Sequence, residues 1–331
     1  MKVLFIGGTG VISSACSELC IEKGFELYLL NRSRSLRTPP AEAKVINADI
    51  RDLQSCKAVL ANEKFDVVVD WIAYTEEHAK NDFDLFRDKT DQYIFISSAS
   101  AYHKPPLKLP ITEDTPLHNP FWNYSQGKID CENYLMKVFS EEIFPVTICR
   151  PSHTYDKTKI ALYGGYTALN RMKNDKEVIV HDDGNTLWIL TSAKDFAKGF
   201  VGLIGNPKTI GQAYHITSDE TLPWNQIAEI IAHAAGVELK IAHLPSEFIS
   251  KYDSEWGCNL FGDKGYSTVF DNSKIKSAVP DFKATISYSE GIQEIIEWFS
   301  HMENQTVNHE LEGVMDKMIN DYGSSQRKKY L

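Results

Sequence analysis

A doubly wound α/β fold with a parallel central sheet is predicted by three features of the sequence. The chain opens on an apolar run, Lys2-Val3-Leu4-Phe5-Ile6, that breaks into glycines and resumes at helical spacing. Short apolar runs then alternate with helical patterns, as parallel βαβ units require. Runs such as Val67-Val68-Val69 suit strands covered by helices on both faces.

Taken in order, the first strand ends in Gly7-Gly8-Thr9-Gly10, and Val11 to Lys23 is predicted as a helix closed by Gly24. Gly7 lets the chain leave the strand sharply. Gly10, lacking a Cβ, lets the backbone approach a pyrophosphate resting on the helix N-terminus. The spacing Gly7-x-x-Gly10-x-x-Ser13 departs from G-x-G-x-x-G, and a plain strand-to-helix turn is the competing reading. Phe25 to Leu30 follows as a second strand and runs into Asn31-Arg32-Ser33-Arg34. At this place a site for NAD presents an acid to the ribose hydroxyls, whereas arginine accommodates the 2′-phosphate of NADP. The alternative is a solvated basic loop.

A third strand is expected at Val45 to Ala48, leading into Asp49-Ile50-Arg51-Asp52, then a short helix from Leu53 to Leu60 and a fourth strand at Phe65 to Asp70. The fifth, Tyr93 to Ile96, ends in Ser97-Ser98-Ala99-Ser100-Ala101-Tyr102, hydroxyls at the carboxyl end of a strand, where open α/β sheets place ligands. Such serines also cap helices and turn loops. In Tyr124-Ser125-Gln126-Gly127-Lys128 the tyrosine and lysine share one helix face, one turn apart. An ammonium beside a phenol stabilises the phenolate, so Lys128 is expected to lower the pKa of Tyr124 and fit it for proton transfer. A surface pair is the bland reading. The glycine turn, the strand-end serine and this pair in one chain are far more specific together than apart.

Composition bounds the partners. The 331 residues are 43% hydrophobic and 24% charged, enough for a sizeable core in one large domain or two unequal ones. A net charge of -10 disfavours a phosphate-backbone partner, so no nucleic acid is expected. The six cysteines form no C-x-x-C pair and fit a reducing cytoplasm. With a core strand from Lys2 no secretion signal is expected, and no apolar run is long enough for a membrane span. No metal-ligand spacing is visible.

On these motifs the chain resembles the extended short-chain dehydrogenase/reductases, the NAD-dependent epimerase/dehydratase family. The resemblance implies a modified Rossmann half and a smaller C-terminal substrate lobe. It implies a cofactor loop at Gly7, Thr9, Gly10, Val11 and Ile12, adenine contact at Asp49 and Ile50, and cofactor contacts from Asn31, Arg32 and Arg34. Ser98, Tyr124 and Lys128 match its catalytic set, with Tyr124 and Lys128 also touching the cofactor. Arg150-Pro151-Ser152-His153-Thr154-Tyr155 matches a segment whose backbone, at Pro151, lies near the nicotinamide, with Asp156 where the family has glycine. Asp271 to Ile275 and Glu290 to Trp298 resemble its closing helices.

Two departures narrow the chemistry. The family's dehydratases carry Asp and Glu after the catalytic Ser/Thr; here Ala99 and Ser100 stand there, so elimination of water lacks its acid and base. In Asp182-Asp183-Gly184-Asn185-Thr186-Leu187-Trp188, tryptophan occupies the place of an arginine that binds the substrate diphosphate in relatives. It cannot replace a bidentate guanidinium, and is either a ring platform for the ligand or a core residue of a strand Leu187 to Leu190.

Beyond the Rossmann half the expected elements are Ala193 to Ile204, Ala213 to Ile216, Trp224 to Ala235 and Glu238 to Ala242. His153, His181 and Trp256 are candidates to line a pocket, although scattered histidines are more often core or solvent-facing. Leu311, Val314, Met315, Met318, Ile319 and Tyr322 form an apolar stripe before the basic end Arg327-Lys328-Lys329; it packs on its own domain or on a second subunit. The expected organisation is 1–155 dinucleotide-binding, 156–300 mostly substrate lobe with segments returning to the Rossmann core, and 301–331 an amphipathic helix and tail. The expected protein is a cytoplasmic oxidoreductase or epimerase, using NADP or alternatively NAD, acting on a small sugar-like substrate, with a homodimer left open. The alternatives are a nucleotide-sugar 4-epimerase and a catalytically silent binding or regulatory protein.

Overall fold

The computed structural model describes residues 1–35 and 37–329, and side chains up to 324. Its centre is a seven-stranded, all-parallel sheet. Six strands, β1 (Lys2–Ile6), β2 (Glu26–Asn31), β3 (Lys44–Asn47), β4 (Phe65–Asp70), β5 (Thr90–Ile96) and β6 (Val146–Pro151), are joined by the edge strand Ala213–Ile216. From that edge the order is β6, β5, β4, β1, β2, β3. The chain winds outward in both directions from the β1/β4 junction, which leaves a crevice at the carboxyl ends of those two strands. In β1, Val3 and Phe5 face one core and Leu4 and Ile6 the other, the period-2 alternation that helices on both faces demand.

Helix α1 (Val11–Glu22) packs with helix Ala193–Val201 on the first face, while α2 (Leu53–Val59), α3 (Glu76–Phe86) and α4 (Asn123–Glu142) cover the second. Ala213–Ile216, expected beyond the Rossmann half, belongs to the main sheet. A four-residue apolar strand carries no periodic signal of which sheet it joins.

The smaller C-terminal lobe holds two further cores. Helix Trp224–Ala235 packs on Tyr288–Trp298, and Val178–His181 pairs in parallel with Ile241–Leu244. The stripe on helix His309–Lys329 is spent within this lobe: Met315 and Met318 are fully buried there, and Arg171 and Lys176 pin Asp316 and Glu312 of the helix at 2.6 and 2.9 Å. The stripe therefore packs on its own chain. The side chains of Arg327-Lys328-Lys329 lie outside the described residues. Among the described residues no helix is long and apolar enough to cross a membrane.

Candidate active site

The glycine turn at the crevice is held by serines. Gly7 has φ +88°, and a Cβ there would stand 2.7 Å from Ile72 Cγ2. Ser13 accepts the Gly10 N–H at 2.7 Å and donates to the Gly7 carbonyl at 2.9 Å, so the serine in the third small position staples the turn. Ser17 donates to the Gly8 carbonyl at 3.0 Å. The tightest approach is at Gly8, where a Cβ would meet Leu29 Cδ2 at 2.4 Å; at Gly10 it would meet Ser13 Oγ at 3.2 Å. No acidic side chain stands in the first turn of α1, so the positive end of its dipole is open to an anion.

A groove of about 680 Å³ runs from this turn along the ends of β2 and β3. Gly7, Thr9, Gly10, Asn31, Arg32, Arg34, Asp49 and Ile50 line it, together with Arg37, Ala48 and Ile72. Val11 and Ile12 begin α1 beside it, and Tyr124, Lys128 and Pro151 are not among its walls. Arg32 lies 3.7 Å from Asp49, both well exposed. Arg37, which sequence reasoning passed over, donates to Asp156 Oδ2 at 2.9 Å and Thr158 Oγ1 at 2.6 Å. Asp156, the departure from glycine, thereby ties the groove to the lobe. The size, the glycine cradle, the open helix dipole and the arginines fit a dinucleotide.

One loop connects the groove to the predicted triad. Asp70 at the end of β4 accepts the amide hydrogens of Ile72 and Ala73. Ile72 walls the groove, the Ala73 carbonyl receives Lys128 Nζ at 2.7 Å, and the Tyr74 ring lies 6.2 Å from Tyr124. Lys128 donates also to the Ile96 carbonyl at 2.7 Å. It is buried, and that burial lowers its pKa to about 8. Helix α4 reaches the loop because Gly127 faces it: a Cβ there would stand 2.3 Å from the Tyr74 carbonyl oxygen.

Tyr124 exposes 37% of its surface, yet its hydroxyl end is enclosed, and burial pushes its pKa up to about 12 while Ser98 draws it back. The expectation that Lys128 lowers it is not met in this geometry. Lys128 Nζ sits 5.8 Å from the Tyr124 ring centroid with hydrogens committed to two carbonyls. Ser98 Oγ, in turn, lies 2.8 Å from Ser100 Oγ, to which Ser125 donates at 2.7 Å.

In the lobe, His153, His181 and Trp256 do line one cavity, of about 320 Å³, with Lys159 and Lys264. Burial lowers the pKa of His153 to about 3 and of His181 to about 4, so both rings are neutral. Trp188 resolves to the core reading: it is 1% exposed, packs against Trp224 and donates to His153 Nδ1 at 3.0 Å. Among the described residues no cluster suits a metal ion.

The model of the NAD dependent epimerase/dehydratase family matches residues 3–217. The chain belongs to this family. It is 27% identical to the chloroplast stem-loop binding protein of 41 kDa b of Arabidopsis thaliana, over 75% of this chain and 67% of that one. It is 31% identical to the UDP-glucose 4-epimerase of Lactobacillus helveticus over 41% of this chain and 46% of that enzyme. Among solved structures, the UDP-glucuronic acid 4-epimerase of Bacillus cereus with UDP-glucuronic acid and NAD superposes with a TM-score of 0.73 at 19% identity, covering 91% of this chain and 99% of that one. The extended short-chain dehydrogenase fold with a C-terminal lobe is therefore shared by members of the family and this chain.

Proposed function

We propose that the chain is an NADP-linked oxidoreductase or epimerase that exchanges hydride at a hydroxyl-bearing carbon of a sugar-like substrate. The observation that carries this is the meeting of Ser98 and Tyr124 at the carboxyl end of β5, joined through Ile72-Ala73-Tyr74 to a groove of dinucleotide size. A bound dinucleotide supplies the hydride acceptor or donor. Tyr124 exchanges the substrate's hydroxyl proton, Ser98 holds the reacting oxygen, and Lys128 fixes the loop beneath them and offers its remaining hydrogen to a ribose. Ala99 and Ser100 supply no carboxylate for dehydration, in keeping with simple hydride exchange.

NADP is favoured by Arg32, Arg34 and Arg37 along the groove, each able to make charge-assisted hydrogen bonds worth about 1.5 to 3 kcal/mol. Asp49 beside Arg32 weighs towards NAD, the cofactor in the Bacillus cereus complex. Titration of both into nucleotide-stripped protein decides: NADP binds on the order of tenfold or more tightly if Arg32 meets the phosphate, and tighter NAD shows it does not.

A nucleotide-sugar 4-epimerase is the second reading, favoured by the Lactobacillus and Bacillus relatives and by Lys159 and Lys264 in the lobe cavity. Trp188, buried where relatives carry the diphosphate arginine, argues against it. We expect free UDP to bind no better than roughly millimolar, about 4 kcal/mol; micromolar binding by calorimetry restores that reading. The Arabidopsis relative is named for binding stem-loops, a role that a net charge of -10 opposes here. Unpaired cysteines, five of the six buried, suit the cytoplasm as the compartment.

A further inference from the structure

Three serine hydroxyls from two elements form one chain that ends at Ser98, the hydroxyl that draws down the pKa of Tyr124. Ser125, in the first turn of α4, donates to Ser100 Oγ at 2.7 Å, and Ser100 Oγ lies 2.8 Å from Ser98 Oγ. The Ser100 amide also donates to Ser98 Oγ, at 3.2 Å. Ser100 and Ser125 are buried, and Asn119 clamps the segment by donating to the Ser100 carbonyl at 2.7 Å and to the Gly262 carbonyl at 2.6 Å.

Each hydroxyl has a single hydrogen and two lone pairs, and either Ser98 or Ser100 can be the donor between them. Ser125 gives its hydrogen to Ser100 and the Ser100 amide gives its own to Ser98, so the arrangement that leaves Ser98 a hydrogen to donate outward is the one with the Ser100 hydroxyl hydrogen on Ser98. Ser98 then accepts from both the hydroxyl and the amide of Ser100, and its own hydrogen is left to point away from them. We propose that Ser100 and Ser125 are positioning residues that lock Ser98 as a donor aimed at the Tyr124 oxygen and, in turnover, at the reacting oxygen of the substrate. The inference rests on the reading of Ser98 and Tyr124 as the reacting pair.

A donor chain polarised towards a phenol stabilises the phenolate. The other groups around Tyr124 do not replace it. The Tyr74 ring, the Trp122 ring at 4.9 Å and the carboxylate of Asp263 offer the phenolate no positive charge, and Lys128 spends hydrogens on Ala73 and Ile96. The hydroxyl relay is the device that favours ionisation where the lysine was expected to act.

The test places 3,5-difluorotyrosine, whose phenol ionises near neutral pH, at position 124 of the full chain and follows its titration by fluorine NMR, with no substrate required. Ser100→Ala should reduce the phenolate population at a given pH about fivefold, a rise of about 0.7 in the pH of half-ionisation. Ser125→Ala should move it in the same direction by less, and Ser100→Thr, which keeps the hydroxyl, should restore it. Ser100→Ala should add nothing in a Ser98→Ala background, because it acts through Ser98. An unmoved titration in both alanine variants, or full additivity with Ser98→Ala, overturns the proposal. If Ser100→Ala does not fold, Ser125→Ala carries the same expectation. Failure of the underlying reading shows elsewhere, as turnover surviving in Tyr124→Phe, and leaves this titration readable.

Discussion

Lys128→Met should make the fold more stable at neutral pH and less stable at high pH. The folded protein holds Lys128 at a pKa of about 8 because burial disfavours its charge, against 10.5 in the unfolded chain. The folded-state pKa is depressed, so the lysine's full contribution is present above pH 10.5 and is lost as pH falls through about 8. At pH 7 this burial of charge costs about 3 kcal/mol, since each tenfold loss of proton affinity is worth about 1.4 kcal/mol. Methionine removes that cost but leaves the carbonyls of Ala73 and Ile96 without their partner, a penalty of about 1 kcal/mol each. The variant should therefore gain about 1 kcal/mol at pH 7 and lose about 1 kcal/mol near pH 10, crossing zero between and approaching a loss of about 2 kcal/mol above pH 11. Urea denaturation of both proteins across that range measures the difference and cancels titrations common to both. A variant destabilised by the same amount at both ends would refute the assignment of Lys128 as a buried, strained cation. Turnover and cofactor binding should weaken together in the same variant.

Two further substitutions probe the frame around the site. Gly127→Ala brings a Cβ to 2.3 Å from the Tyr74 carbonyl oxygen, a backbone atom that cannot swing aside, so α4 must shift; a loss of about 1 to 3 kcal/mol in denaturant and a turnover reduced tenfold or more are expected. Glu132→Gln breaks the buried pair with Arg150, whose contacts run from 2.6 to 3.2 Å, and should cost about 3 to 5 kcal/mol in the same assay.

How much of this was legible in the sequence depends on distance along the chain. The glycine turn, β4 and helix Trp224–Ala235 rest on local signals, turn residues and periodicity, and lie where those signals put them. Tyr124 and Lys128 were legible as a helix-face pair, and Gly127 between them is the kind of mid-helix glycine that signals close approach. The relay was not legible, because Ser100 and Ser125 are joined only once α4 docks on the end of β5. Nor was the bond from Arg37 to Asp156, which spans 119 residues and depends on how the lobe folds back. Lys128 shows why spacing alone misleads: one helical turn puts an ammonium near a phenol, but two backbone carbonyls nearer still claim its hydrogens. Trp188 likewise could be weighed as platform or core only until its neighbours His153 and Trp224 were in place.

The central claim is that Tyr124 moves the proton while hydride moves at the neighbouring carbon. A screen of sugars and their nucleotide conjugates for reduction of enzyme-bound oxidised cofactor identifies a substrate, and Tyr124→Phe is then measured with it alongside cofactor affinity by titration. The account predicts turnover reduced by about a hundredfold to ten-thousandfold with cofactor affinity nearly unchanged, since only the proton-transfer group is lost. Full turnover in Tyr124→Phe would contradict it.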